Sequence, residues 1–160
     1  MKTQHSIVTI ISGGQTGADR AALDFALENG IETGGYVPHG RLAEDGRIPD
    51  KYQNLVETES SDPVKRTGKN VLGSDATLIV SNGELSGGSL LTLQLAKKYK
   101  KPVLHIDMSV ISIETAAAKL DDWIDIVRPL ALNVAGPRAS EDADIYDAVT
   151  NLLHGAKARA

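Results

Sequence analysis

The chain has 160 residues, 41% of them hydrophobic and 24% charged, an ordinary composition for a soluble globular protein and long enough to bury one sizeable core. It has no cysteine, which excludes disulfides, cysteine-ligated zinc, iron–sulfur clusters and thiol catalysis and fits a reducing cytoplasm. A formal net charge of -4 gives no general attraction to nucleic acid or to an anionic membrane, so neither is expected as a partner and any basic site must be local.

The N-terminus, Met1 to His5, runs into the first apolar segment without a leader-like apolar region, and no stretch approaches membrane-spanning length. The β-branched run Ile7 to Ile11 predicts a strand buried on both faces. Ser12-Gly13-Gly14-Gln15-Thr16-Gly17-Ala18-Asp19-Arg20 follows, and Ala21, Ala22, Leu23, Phe25, Ala26 and Leu27 then suit a helix lying on that sheet. The segment is a strand-to-helix loop whose glycines admit close backbone approach and whose unpaired N–H groups, with the helix dipole, favour an anion such as phosphate. It matches neither G-x-G-x-x-G nor the P-loop pattern, and Thr16 and Asp19 also have N-cap and capping-box spacing, so ordinary turn chemistry stays open beside phosphate binding.

Asn29-Gly30 ends the helix, and Ile31 to Val37 predicts a short second strand. The polar segment Pro38 to Ser60 is long for a connection and is expected to be a functional lid or disordered; His39, Arg41 and Arg47 can grip an acidic ligand there or simply balance the local charge. Ser61-Asp62-Pro63 starts a helix with Val64, Val71 and Leu72 on one face, which Gly73 ends. Ala76 to Val80 is the third strand, followed by the second glycine loop, Ser81-Asn82-Gly83-Glu84-Leu85-Ser86-Gly87-Gly88-Ser89. The next helix, through Leu90 and Ala96, ends in Lys97-Lys98-Tyr99-Lys100-Lys101, a basic last turn that complements the dipole.

Pro102 to Ile106 is the fourth strand, with His105 expected to be buried or at an edge. Ile113 to Val127 is a helix carrying Trp123, the single tryptophan. Leu130 to Ala135 is the fifth strand and runs into Gly136-Pro137-Arg138-Ala139-Ser140. The last helix is expected from about Glu141, capped by Ser140, to about His154.

Strands alternating with helices predict one domain over residues 1–160, of doubly wound Rossmann-like α/β class, with a parallel sheet of about five strands and helices on both faces. In that class all strand-to-helix loops meet at the carboxyl edge of the sheet, where ligands bind at the reversal of strand order. Three of them are glycine-rich, and one nucleotide-sized crevice accounts for all three. The candidate ligand-binding residues are Gly13, Gly14, Gly17, Gly87, Gly88 and Gly136 for backbone approach, Gln15, Thr16, Asn82, Gly83, Ser89 and Ser140 for hydrogen bonds, and Arg20, Arg66 and Arg138 for charge. An acid in the first helical turn competes with a bound phosphate, which puts the principal phosphate at Gly87-Gly88-Ser89, Gly13-Gly14 second, and Gly136 to Ser140 acting mainly through Arg138. The four histidines have neither metal spacing nor a G-x-S-x-G partner, so no metal site or serine-hydrolase site is assigned.

Gly13-Gly14-Gln15-Thr16-Gly17-Ala18-Asp19, Gly35-Tyr36 with Gly40-Arg41, Ala43-Glu44-Asp45-Gly46, Ile48-Pro49 with Tyr52, Arg66-Thr67 with Asn70-Val71, Ser74-Asp75 with Thr77-Leu78-Ile79, Gly87-Gly88 with Thr92, and Asn133 to Arg138 together resemble the putative molybdenum carrier family over nearly the whole chain. That resemblance implies a doubly wound fold, homo-oligomerisation and a phosphate-bearing small-molecule ligand, either molybdenum cofactor (molybdopterin) or a nucleotide. The same group includes phosphoribohydrolases with a Pro-Gly-Gly-x-Gly-Thr-x-x-Glu pattern. Here Ser86 replaces the proline and Gln94 the catalytic glutamate, and an amide cannot act as a general acid or base. A binding or carrier role is therefore expected, with an enzyme acting on a nucleotide-derived substrate as the alternative. In that alternative Asp19, Glu44, Asp45 or Glu84 would have to supply the carboxylate.

Overall fold

A computed structural model describes residues 5–156. The reading of Met1 to Gln4 as a direct run into the first strand lies outside the described residues. The elements in chain order are β1 (Thr9–Ile11), α1 (Ala18–Glu28), β2 (Glu32–Val37), β3 (Leu42–Ala43), β4 (Gly46–Arg47), β5 (Leu55–Glu57), α2 (Pro63–Leu72), β6 (Ala76–Ser81), α3 (Gly87–Lys98), β7 (Val103–Asp107), α4 (Ile113–Val127), β8 (Ala131–Ala135) and α5 (Ile145–Gly155). Six strands form one sheet in the order β5-β2-β1-β8-β6-β7, every neighbouring pair parallel, with Ile10 in register with Thr33 on one side and Leu132 on the other.

The chain lays down β1, β2 and β5 in one direction, crosses through α2 to β6 and β7, and returns with β8 between β1 and β6. Strand order therefore reverses at β1, β8 and β6, and the three glycine loops leave those strands. All six residues of β6 are buried, Thr77 and Ser81 among them, as expected of a strand covered on both faces. Phe25 of α1, Leu120 of α4 and Leu152 of α5 share the larger core with Ile10, Leu78 and Val134, while Val71 of α2 packs with Leu95 and Ala96 of α3 in a separate cluster. His105 is half-buried, its Nε2 2.7 Å from Ser81 Oγ, and Trp123 is partly buried against the larger core. No helix among the described residues is long and apolar enough to cross a membrane.

The sixth strand comes from the segment expected to be a lid or disordered. Residues 38–60 form a short 3₁₀ turn, the two-residue hairpin strands β3 and β4, and β5, which pairs with β2. The segment is ordered because it has an apolar anchor: Ile48 and Tyr52 are buried with Leu23 and Val37. Arg41 is spent internally, donating to the carbonyls of Ile48, Pro49 and Tyr52 at 3.1, 2.8 and 3.2 Å.

Two helix starts differ from expectation. Gly17, not Thr16, is the N-cap of α1, because the Thr16 hydroxyl donates to Glu44 and accepts from the Ala139 N–H at 3.1 Å. The last helix begins at Ile145 rather than near Glu141. The N–H groups of Glu141 and Asp142 both turn back to the Arg138 carbonyl at 3.0 Å, and Ser140 donates through its N–H and hydroxyl to Glu44 instead of capping a helix. Asp62 behaves as expected, accepting from the Val64 N–H at 3.0 Å with Pro63 in the first turn.

Candidate ligand-binding cleft

At the carboxyl edge of β1, β8 and β6 lies a cleft of about 340 Å³ whose wall includes Gly13, Gln15, Gly87, Gly88, Ser89, Gly136, Arg66 and Arg138. All three glycine loops thus open onto one cavity. Thr67 and Asn70 of α2, Thr92 of α3, Asn133 of β8, Asp19 and Glu141 complete its polar lining.

The first turn of α3 faces this cleft. Ser86 is its N-cap without a side-chain capping bond, and the turn contains no acid, so its N–H groups keep the positive end of the helix dipole. A Cβ added at Gly88 would meet nothing within 4 Å, which leaves room over that turn. Arg66 donates to the Gly13 carbonyl at 3.3 Å and has no ion pair among the described residues, whereas Arg138 is paired to Glu141 at 3.1 Å and to Glu44 at 4.0 Å.

Asp19, on the first turn of α1, accepts from the Gln15 N–H at 3.2 Å. Burial pushes its carboxyl from the ordinary 3.8 up to about 6, against the pull of Arg66, the Gln15 N–H and Arg20. Of the four carboxylates that could replace the missing glutamate, it alone lines the cleft. Glu44 is held below its usual range first by Ser140 and then by Thr16, Asp45 by Arg20, and Glu84 lies in a neighbouring cavity. Gln94 is exposed and absent from the cleft wall.

Several candidate residues serve packing. Gly17 has φ 77°, and a Cβ there would lie 2.5 Å from the Pro137 carbonyl oxygen, so glycine lets the start of α1 dock on the loop after β8. Gly14 backs onto Ile48 and Val37 rather than into the cleft. Arg20 is bound to both oxygens of Asp45, at 2.9 and 3.1 Å, and to the Gly14 carbonyl at 3.2 Å. Thr16, Arg20 and Ser140 are outside the cleft wall, as are Asn82 and Gly83; Asn82 lines the neighbouring cavity and donates to Asp142 at 2.9 Å. His39, Arg41 and Arg47 also lie elsewhere.

Reading α2 by its apolar positions misses its contribution to the site. Val64 and Leu72 are exposed, and only Val71 of that set is buried. Pro63, Arg66, Thr67 and Asn70, at helical spacing, line the cleft together, and that polar stripe was the available signal.

Residues 10–156 match the model of the circularly permutated YpsA SLOG family. The fold also matches the 1.45 Å crystal structure of a protein from Syntrophus aciditrophicus SB described as a putative molybdenum carrier protein, with a TM-score of 0.92, 56% identity and 96% of each chain covered. No curated protein matches the chain.

Proposed function

This chain belongs to the circularly permutated YpsA SLOG family, and from that premise we propose that it binds, and in a carrier role delivers, a phosphate-bearing small molecule: molybdenum cofactor or a nucleotide-like compound. The observation that carries the reading is the convergence on one cleft of three glycine-bearing loops, the acid-free first turn of α3 and Arg66, which has no ion pair among the described residues. The backbone N–H groups of Gly87, Gly88 and Ser89 would receive the phosphate, with Arg66 supplying charge and Arg138 contributing on release from Glu141. The 56% identical relative described as a molybdenum carrier favours a binding role.

The donor set fits the phosphate of molybdopterin better than bare molybdenum. The cleft wall has no thiol or imidazole, and its two carboxylates, Asp19 and Glu141, are already engaged with Gln15 and Arg138. A metal cation would therefore enter already held by its organic ligand, whereas molybdate, an oxyanion, would compete for the phosphate seat.

The test is thermal unfolding with molybdopterin or nucleoside monophosphates beside their dephosphorylated forms, with mass spectrometry of any compound that co-purifies. A ligand at 100 times its Kd adds about 2.7 kcal/mol of apparent stability. Equal shifts from nucleoside and nucleotide would overturn the phosphate seat.

A second reading, cleavage of a nucleotide-derived substrate, draws on Asp19, whose carboxyl is pushed by burial up to about 6 inside the cleft. Release of free base from a monophosphate at about 1 per second or faster would establish turnover, and a rate indistinguishable from buffer would retire it.

A further inference from the structure

Beside the cleft is a second cavity of about 600 Å³, walled by Asn82, Glu84, Ser86, Ser109, Asp142 and Asp144. The two adjoin, because Ser89 and Glu141 stand in both walls. We infer that one ligand spans both, with its phosphate on the first turn of α3 and a donor-rich heterocycle, the aminopyrimidinone edge shared by guanine and pterin, in the second cavity. This rests on the phosphate reading above.

Three observations carry it. The walls differ in charge: the first sets Arg66 and Arg138 against Asp19 and Glu141, while no lysine or arginine lines the second, which has three carboxylates of its own and a share of Glu141. An asymmetric ligand would thus enter in one orientation, its phosphate turned away from the acidic end. Next, Ser89 is only 7% exposed, yet its hydroxyl has no hydrogen-bond partner among the described residues. A hydroxyl with no protein partner that stands in both cavity walls is free to bond a ligand group lying across them, which the inward Thr150 hydroxyl, also without a partner among the described residues, is not. Finally, the carboxylates are not equally committed. Asp142 already accepts from Asn82 and from the Asp144 N–H, while Glu84 has no described partner and Asp144, the N-cap of α5, makes no side-chain capping bond.

Chemistry selects among heterocycles. A carboxylate accepts only, so it pairs with adjacent donors, and the ring N–H beside the exocyclic amine of guanine or pterin offers two in parallel. Adenine presents a ring acceptor at that edge, hypoxanthine lacks the amine, and xanthine puts a carbonyl in its place.

The experiment is calorimetric titration of the full chain, at fixed pH and salt, with GMP, IMP, XMP, AMP, hydroxymethylpterin phosphate and inorganic phosphate. GMP or the pterin phosphate should bind at least about tenfold tighter than IMP, AMP and inorganic phosphate, the effect of one charge-assisted hydrogen bond, with XMP weaker still. Which of the two leads identifies the parent heterocycle. Combining Glu84→Gln with Asp144→Asn should shrink that advantage to within about twofold while binding of inorganic phosphate persists, and Arg66→Ala should weaken every phosphorylated ligand alike. Monophosphates of equal affinity would overturn the heterocycle seat and leave the phosphate seat standing. Failure of all these ligands to bind would overturn both.

Discussion

The side-chain amide of Asn70 pairs with the backbone of Tyr36 as a neighbouring strand would: it accepts from the Tyr36 N–H at 2.7 Å and donates to the Tyr36 carbonyl at 3.0 Å. Because Asn70 is 5% exposed and lies on the cleft side of α2, this pairing holds Arg66 and Thr67, one turn earlier, against the loop after β1.

Asn70→Asp keeps the shape but replaces the donor by an oxygen facing the Tyr36 carbonyl. It should lower stability by roughly 2–3 kcal/mol, as expected for an unsatisfied buried acceptor, and weaken ligand binding through displacement of Arg66. Urea denaturation checks the first effect; a midpoint within error of the parent protein would show that the pairing is not holding α2.

Titration of Asp19 should be visible in both stability and binding. Its folded carboxyl sits near 6 while an unfolded aspartate sits near 3.8, so the favourable contribution is fully present below about pH 3.8 and lost as pH rises through 6. Relative to Asp19→Asn, which retains an oxygen for the Gln15 N–H, the parent protein should therefore gain on the order of 1 kcal/mol as pH falls from 7.5 to 5. Anion binding in the same cleft adds negative charge beside Asp19, in front of Arg66, and should be coupled to proton uptake. The ratio of parent to variant affinities cancels the titration of the phosphate itself and should rise as pH falls from 7.5 to 6, by at most about tenfold per pH unit. A ratio flat across that range would show that Asp19 is not coupled to the ligand.

The parts of this architecture with strong local codes were the parts legible from residues alone. The apolar run Ala76 to Val80 specifies a buried strand, whereas the run Ile7 to Ile11 yields only Thr9–Ile11, with Ile10 buried and Val8 exposed, so it is not a strand buried on both faces. The helix Ile113–Val127 appears with the expected bounds because Ser112 caps it, accepting from the Thr115 N–H at 3.2 Å. β5 was illegible for the converse reason: Leu55, Val56 and Glu57 form three half-exposed to exposed residues without periodicity, and β2 alone makes them a strand. Ser140-Glu141-Asp142 has the look of a helix start, but Arg138 takes the Glu141 carboxylate and α5 begins four residues beyond it. At the site, glycines at loop positions were visible while their duties were not. What crowds Gly14, Gly17 and Gly136 comes from Ile48, Pro137 and Val80, each far away in sequence.

Glu141 restrains the anion site. Its Oε1 accepts from both the N–H and Nε of Arg138 at 3.1 Å, holding the guanidinium in a partly exposed pair inside the cleft wall. Glu141→Gln removes the negative charge and should tighten inorganic phosphate binding by up to about fivefold, the worth of an exposed ion pair of about 1 kcal/mol. Weaker binding in this variant would mean that Glu141 positions Arg138 for the ligand and does not compete with it.

The same acidic residue placed at two loop glycines should separate site from scaffold. At Gly136 a Cβ would lie 2.4 Å from the Val80 carbonyl oxygen and 2.7 Å from the Ala18 Cβ, both fixed atoms, so Gly136→Asp should fail to fold or lose more than about 3 kcal/mol by overpacking. At Gly88 the space is open, the residue is in the first turn of α3, and no acid is there already. A carboxylate at that point favours the helix dipole, so Gly88→Asp should fold normally and change stability by no more than about 0.5 kcal/mol, with the gain from the dipole offset by nothing steric. It should nevertheless abolish phosphate binding, since its carboxylate occupies the N–H groups and the positive potential that the ligand needs. Circular dichroism and thermal unfolding report on the fold, and calorimetry with inorganic phosphate reports on the site. A well-folded Gly88→Asp variant that binds phosphate as the parent does would remove the phosphate from α3, leaving Arg66 and the loop after β1 as its remaining seat.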